Sequence, residues 1–272
     1  MSRRLRRGTP KHYSGYDPRF SLIELGYEGR AVFRPVSMLY LFMLLLALIL
    51  AVSIVFLLVG DLLVSVLGIP SEWVGAFLFV SLFGSFLNIP VATLESRVPM
   101  VRVREVSAFG VTWQIPRMGF GVTRTHVMIN VGGAVLPMIV SGYLLGMPLI
   151  RASVNAVDEY LAVAAVLVVV TVLVNRSARV IGGLGVATPA LVPPLVTALA
   201  TMLIDFVTPL HSPAQVAYIG GTLGTLIGAD LLNLNRVRGV GAPVVSIGGA
   251  GTFDGVYLTG IVSVLLVVLA RG

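Results

Sequence analysis

Residues 38–60 form one uncharged apolar run: Met38-Leu-Tyr-Leu-Phe-Met-Leu-Leu-Leu-Ala-Leu-Ile-Leu-Ala-Val-Ser-Ile-Val-Phe-Leu-Leu-Val-Gly60. A helix of about 20 apolar residues is long enough to cross the hydrocarbon core of a bilayer. Further apolar runs follow, and each is interpreted as a membrane span: 74–94, 127–150, 161–175, 187–207, 214–234 and 252–270. The pattern therefore predicts an all-α, polytopic transmembrane helical bundle with about seven spans.

The overall composition agrees with a membrane location. Hydrophobic residues make up 57% of the chain and charged residues 11%, whereas an ordinary soluble domain is roughly 25% charged. This excludes a typical soluble enzyme and predicts a multi-pass integral membrane protein. The chain contains no cysteine, so disulfides, thiol nucleophiles and thiolate metal sites are excluded.

The formal net charge of +7 comes from cationic residues that cluster between the apolar runs. Residues 1–35 form a basic tail, and residues 36–272 are interpreted as a single transmembrane domain. Arginines in the loops that follow the second, fourth and sixth spans predict a cytoplasmic N-terminus and an external C-terminus. The expected partners are membrane lipids, and nucleic acid is not expected.

One loop carries a different signal. Between the second and third spans, apolar and polar side chains alternate on both sides of Phe109-Gly110. Such alternation is typical of strands. A small cytoplasmic β-hairpin is predicted at about residues 97–117, either as a simple ordered loop or as a strand edge able to pair with an extended peptide.

Three acidic residues lie within or beside the later apolar runs: Asp205, Asp230 and Asp254. Ionisable groups at membrane depth are costly and usually have a task. Asp205 is near Pro209 and suits an ordinary interfacial position. Asp230 and Asp254 would lie at similar depth on neighbouring antiparallel helices if the last helix begins near residue 252, but about two turns apart if it begins near residue 243.

Two adjacent carboxyls that share a proton supply a general base and a general acid in one site. A water molecule between them can attack a peptide carbonyl, because one carboxylate accepts the water's proton while its protonated partner donates to the carbonyl oxygen. Asp230 and Asp254 are therefore the candidate catalytic residues.

The segments Gly228-Ala-Asp230 and Gly249-Ala-Gly-Thr-Phe-Asp254, together with Pro189-Ala-Leu191, resemble motifs of the intramembrane aspartyl proteases of the presenilin and signal-peptide-peptidase type. The resemblance implies cleavage of a transmembrane or membrane-proximal peptide near the cytoplasmic face, without a cofactor or metal. It also implies substrate-binding roles for Gly249, Gly251, Pro189, Ala190 and Leu191.

A second resemblance covers most of the chain. The Asn88-Ile-Pro, Gly228-Ala-Asp and Gly248-Gly-Ala-Gly-Thr-Phe-Asp-Gly segments are similar to those of an uncharacterised family of archaeal and bacterial multi-pass membrane proteins. This resemblance implies a topology and a prokaryotic cell membrane, but no activity.

Two other interpretations stay open. Both aspartates could serve as structural caps for the glycine-rich backbone. Alternatively, the chain could be a cation- or proton-coupled transporter or channel, with polar groups from Asp205, Asp230, Asp254, Asn88, Asn130 and Thr225. The three histidines are scattered, so no metal site is expected. The oligomeric state is not predicted.

Overall fold

The structure is a computed structural model that describes residues 38–108, 111–150, 156–181, 185–237, 243–251 and 254–271. The predicted basic tail, residues 1–35, and the expected turn at Phe109-Gly110 lie outside these residues. The chain divides into two compact units, Met1–Ala51 and Val52–Gly272. The sheets, the helical core and the candidate site all belong to the second unit.

The described chain contains helices with strands inserted between groups of them. The helices are α1 (Met38–Asp61), α2 (Ser71–Gly84), α3 (Leu136–Ile150), α4 (Ala156–Ser177), α5 (Val192–Val207), α6 (Pro213–Thr225), α7 (Leu234–Val237) and α8 (Gly255–Arg271). The strands are β1 (Asn88–Ala108), β2 (Val111–Asn130), β3 (Arg179–Ile181), β4 (Gly185–Ala187) and β5 (Val244–Ile247). Wider π-helical turns occupy Leu62–Val66, Val131–Val135 and Leu226–Asp230, and a tight 3₁₀ turn occupies Leu231–Asn233.

Within the described residues, two helices are long and apolar enough to cross a membrane: Met38–Val66, which is α1 with its π-helical turn, and α4. None of the most apolar part of the first helix is buried inside the structure, and a third of that part of α4 is buried. A helix that is apolar on all sides and not buried by protein is typical of a membrane span.

The prediction of an all-α bundle with seven spans is wrong. Strands β1 and β2 take up parts of the apolar runs at 74–94 and 127–150, and helices α2 and α8 have 14 and 17 residues. Helices of that length extend about 21 to 26 Å, less than the roughly 30 Å hydrocarbon core. An apolar run does not distinguish a buried strand from a helix. The predicted orientation, with the N-terminus inside and the C-terminus outside, was inferred from seven spans. Because that number of spans is wrong, the orientation is no longer supported.

The β-hairpin expected at about residues 97–117 is present and is longer than predicted. β1 and β2 pair antiparallel from Asn88↔Asn130 to Ala108↔Val111. β5 adds a third strand, parallel to β2, through the pairs from His126↔Val244 to Ile129↔Ile247. The strand order is β1-β2-β5, so β5 is an edge strand beside the base of the hairpin. A separate two-stranded sheet joins β3 and β4.

Helix α6 lies at the centre of the helical core and is buried at almost every residue. Small residues allow α4 to approach it closely. A Cβ atom added at Gly220 would lie 2.7 Å from Val166, and one at Gly224 would lie 2.8 Å from Val170. Because no real Cβ tolerates such a contact, these glycines set the spacing of the two helices and position the C-terminal end of α6.

Candidate functional site

Asp230 lies at the end of the π-helical turn that follows α6. A π-helical turn leaves backbone carbonyls without their usual helical partners and is frequent at functional sites. Two asparagines satisfy these carbonyls. Asn233 donates to the carbonyls of Gly228 and Ala229 at 3.0 and 2.9 Å, and Asn175 of α4 donates to Gly228 at 3.0 Å. Asn233 is fully buried, so the turn that carries Asp230 is held from two sides.

Asp254 is the N-cap of α8. Its backbone carbonyl accepts the first helical hydrogen bond, from Leu258, at 2.9 Å. Its side-chain Oδ1 accepts from the backbone N–H of Val256 at 2.9 Å, and Oδ2 accepts from that of Ala250 at 3.4 Å. An aspartate at this position satisfies backbone donors that the helix leaves free. The helix expected from residue 252 thus begins at Gly255 among the described residues.

A glycine-rich turn links the two aspartates. The N–H of Gly248 donates to Asp230 Oδ2 at 3.3 Å, and the backbone N–H of Asp254 donates to the carbonyl of Gly251 at 3.0 Å. Gly248 and Gly251 have φ angles of +66° and +63°. Residues with a Cβ atom rarely adopt positive φ angles, whereas glycine adopts them readily. The turn therefore requires glycine at both positions, and it brings the start of α8 next to the end of α6.

Both aspartates line one cavity of about 330 Å³, together with Val186, Leu234, Val244, Val245, Ser246, Ile247, Gly249 and Ala250. The whole of strand β5 therefore lines the cavity, together with Gly249 and Ala250 of the turn that follows it. Apart from the two carboxyls and Ser246, the lining side chains are apolar. The cavity is large enough for several water molecules or for a short segment of an extended peptide.

Burial raises the pKa of both carboxyls, and the charge of Asp254 acts on Asp230. Asp230 and Asp254 lie outside both helices that are long enough to cross a membrane. Burial, followed by the negative charge of Asp254, raises the pKa of Asp230 to about 7, although the N–H of Gly248 opposes the shift. Burial also raises the pKa of Asp254, against hydrogen bonds from Val256 and Ala250. Near neutral pH this pair can hold one proton between two carboxyls.

A polar network behind the cavity positions β5. Ser246 Oγ donates to Asn88 Oδ1 at 2.5 Å, and Asn130 Nδ2 donates to the same oxygen at 3.2 Å. Asn130, which is fully buried, also donates to the carbonyl of Ser85 and accepts from the N–H of Gly133, both at 2.8 Å. The network joins the first residue of β1 and the last residue of β2 to a side chain in the cavity wall.

The predicted substrate-binding residues separate into two groups. Gly249 lines the cavity, and Gly251 shapes the turn before Asp254. Pro189, Ala190 and Leu191 lie exposed between β4 and α5 and are not among the residues that line the cavity.

The polar residues considered for transport also lie apart. Asp205 is bound by Arg271 at 2.9 Å, and Thr225 donates to Thr259 at 3.3 Å. Asn88 and Asn130 belong to the network behind β5.

Three residues of the site were not predicted from sequence: Asn175, Asn233 and Ser246. An asparagine within an apolar run is a usable signal, because an unpaired amide at such a position is costly. That signal was available for Asn175 and Asn233. Ser246 has no comparable signal, because its role depends on the position of Asn88, far away in the sequence. Across the described ranges, no group of three or more histidine, cysteine, aspartate or glutamate side chains is placed to hold a metal ion.

The capping geometry predicts different effects of two substitutions at Asp254. Asp254→Ala removes the acceptor for the N–H of Val256 and should lower the stability by about 1 kcal/mol. Asp254→Asn keeps an N-cap acceptor and removes a negative charge beside Asp230, so stability should be unchanged or slightly higher. Thermal unfolding of the purified full-length chain in one detergent would measure both. An asparagine variant as unstable as the alanine variant would contradict the capping role.

Comparison with known proteins identifies the family of the chain but assigns it no activity. No curated protein and no solved structure matches the chain, and the resemblance to presenilin-type proteases gains no support from these comparisons. One family model covers residues 82–266, a range that includes the hairpin, most of the helical core and both aspartates. The chain belongs to this family, which is described as "Protein of unknown function (DUF1614)".

Proposed function

We propose that this protein is an aspartyl peptidase that uses Asp230 and Asp254 to hydrolyse peptide bonds in transmembrane or membrane-proximal segments. The observation that carries the proposal is the shared cavity: two carboxyls from different helices line it, and the charge of one raises the pKa of the other. Pairs of titratable groups in such a relationship are typical of acid–base sites.

In the proposed reaction, the protonated Asp230 and the ionised Asp254 hold a water molecule and the substrate carbonyl between them. Asp254 accepts a proton from the water as its oxygen attacks the carbonyl carbon, and Asp230 donates its proton to the carbonyl oxygen. Collapse of the tetrahedral intermediate breaks the C–N bond as Asp254 passes the proton it took from water to the leaving nitrogen, and Asp230 recovers a proton from a hydroxyl of the intermediate. The products are a new carboxylate and a new amine, and no acyl-enzyme forms.

The cavity wall supports a peptide as the substrate. β5 is an edge strand, and the backbone groups along a free strand edge can pair with an extended chain. All four of its residues line the cavity that contains the carboxyls. A substrate paired with β5 would present its carbonyls near the aspartates, and the apolar lining from Val186, Leu234 and Ile247 suits uncharged side chains.

The two long apolar helices support a membrane-bound substrate. Helices Met38–Val66 and α4 have the length and composition to cross a bilayer. A peptidase anchored in this way meets its clients in or next to the same bilayer, at a high effective concentration.

Hydrolysis in H₂¹⁸O tests the proposal directly. The purified full-length chain would be incubated in lipid nanodiscs with a panel of synthetic single-span peptides, and the products would be analysed by mass spectrometry. The expected result is cleavage with one ¹⁸O atom in the new carboxylate, because the attacking oxygen comes from water. A boiled sample and a nanodisc without protein serve as controls.

The structural interpretation of the aspartates predicts the opposite outcome. Both carboxyls accept backbone hydrogen bonds, and a purely structural pair needs no further task. If no peptide in the panel is cleaved and no hydroxyl-containing transition-state analogue binds to the folded chain, the peptidase proposal is wrong and the structural interpretation stands.

A further inference from the structure

The hairpin extends far beyond the three-stranded part of the sheet. β5 pairs only with residues 126–129 of β2, whereas β1 and β2 continue together to Ala108↔Val111. Between residues 93 and 125 the sheet is therefore a two-stranded ribbon. A two-stranded hairpin is marginally stable by itself in water. A ribbon of this length is therefore stabilised when one of its faces packs against another surface.

One face of the ribbon carries an exposed apolar patch. Side chains two residues apart on a strand share a face, which places Met118, Phe120 and Val122 together, and the pair Val103↔Pro116 continues the same face. Met118 is 88% exposed, Phe120 77% and Val122 60%. We refer to these five residues, Val103, Pro116, Met118, Phe120 and Val122, as the ribbon patch.

Polar pairs bound the ribbon patch on the same face. Towards the tip, Gln114 donates to Glu105 at 3.3 Å. Towards the base, Arg124 forms an ion pair with Glu95 at 2.9 Å. A contiguous apolar patch with a polar rim is typical of an interaction surface. The polar pairs also limit its length to about 20 Å along β2.

The charge of the ribbon indicates what covers the patch. Its sequence contains five arginines and two glutamates: Arg97, Arg102, Arg104, Arg117, Arg124, Glu95 and Glu105. Both glutamates already have a polar partner within the hairpin. The cross-strand register places Arg97 and Arg124 on the face of the ribbon patch with the two glutamates, and Arg102, Arg104 and Arg117 on the opposite face, with Val106. The excess of positive charge therefore lies on the face opposite the patch. An element that is apolar on one face and arginine-rich on the other fits an anionic membrane interface.

We propose that the ribbon lies in the interface of an anionic bilayer, with the apolar side chains of the ribbon patch below the headgroups and the arginines of the opposite face at the level of the phosphates. Arginine extends its charged end towards phosphate while its aliphatic part stays on apolar surface. The long apolar helices place a bilayer within reach of the chain. A nucleic acid would match the arginines but leave Met118 and Phe120 in water.

Because the chain has no cysteine, single spin labels can report on each face of the ribbon. Met118→Cys and Phe120→Cys place a label in the ribbon patch, and Val106→Cys places a matched label on the opposite face. The labelled full-length chain would be reconstituted in vesicles of phosphatidylcholine alone and of equimolar phosphatidylcholine and phosphatidylglycerol. Collision rates with oxygen, which concentrates in lipid, and with a water-soluble nickel chelate would be measured at each position.

In the anionic vesicles, labels at positions 118 and 120 should lose most of their nickel collisions and gain oxygen collisions, while the label at position 106 stays open to nickel. Replacing Arg102, Arg104 and Arg117 with glutamine, or adding salt, should return positions 118 and 120 to water.

Two results would overturn the proposal. Nickel collisions at positions 118 and 120 that equal those at position 106 in both lipids would show that the patch stays in water. Low collision rates with both reagents in both lipids would show a protein contact instead, and dipolar broadening between labels would identify a second copy of the chain.

Discussion

Replacing Asp230 with asparagine is expected to lower the rate of peptide hydrolysis by about 10³-fold. Asparagine has nearly the same shape as aspartate and can still accept from the N–H of Gly248, but it cannot donate a carboxyl proton to the substrate carbonyl. The same loss is expected for Asp254→Asn, because an amide cannot accept the proton of the attacking water. Initial rates on a cleaved peptide from the single-span panel would be compared with those of the unaltered chain.

Losses at the two positions should not add. If the carboxyls act as one unit, the double variant should be about as slow as either single variant, since each single change already leaves the pair without its acid or without its base. Asp158→Asn is a matched control, because Asp158 is exposed at the start of α4 and outside the cavity. Full activity in either Asp230→Asn or Asp254→Asn, with unchanged folding, would exclude the catalytic role of that residue.

Activity is also expected to depend steeply on pH above neutrality. The proposed acid is the protonated Asp230, whose pKa is raised to about 7 by burial and by the charge of Asp254. Above that pH the acid is lost, and the rate should fall by about tenfold for each pH unit. At lower pH the rate should fall again as Asp254 becomes protonated, which produces a bell-shaped profile. The profile of kcat/KM for the free enzyme would be measured in the nanodisc assay.

The same pKa predicts a change in stability. The folded chain keeps a proton on Asp230 up to pH about 7, whereas an unfolded aspartate releases it near its ordinary value. The folded state therefore binds more protons between these values, so stability is highest below the unfolded pKa and falls as the pH rises through 7. The midpoint of thermal unfolding should decrease from pH 5 to pH 8, and Asp230→Asn should flatten this dependence. An unaltered slope in Asp230→Asn would assign the pH dependence to another group.

Of the site residues predicted from the sequence, the two aspartates line the cavity and the Pro-Ala-Leu tripeptide does not. The high cost of charged groups in apolar surroundings points to Asp230 and Asp254 from the sequence, and the structure places both in one cavity. Pro189, Ala190 and Leu191 were selected by a tripeptide resemblance, and they lie outside the residues that line that cavity. The burial argument depends on the chemistry of each side chain, whereas a three-residue match contains little information about position.

The fold prediction failed for a related reason. The apolar content of a segment indicates that its side chains are kept away from water. It does not indicate whether the backbone N–H groups form hydrogen bonds within a helix or with a neighbouring strand. The run at residues 127–150 was therefore interpreted as one span, although it contains the end of β2, a π-helical turn and α3. The alternation around Phe109-Gly110 is a local signal, and it identified the hairpin.

Local patterns in the amino-acid sequence are enough to identify a long helix that is apolar on all sides, an alternating hairpin and two aspartates beside glycines, because helix length, alternation and side-chain chemistry are local properties. That Asp230, Asp254 and Ser246 line the same cavity is visible only in the folded chain. That arrangement depends on the π-helical turn held by Asn175 and Asn233 and on the parallel pairing of β5 with β2. The hydrogen bond from Asn175 and the pairing of β5 with β2 join residues that are distant in the chain, so no local pattern predicts them.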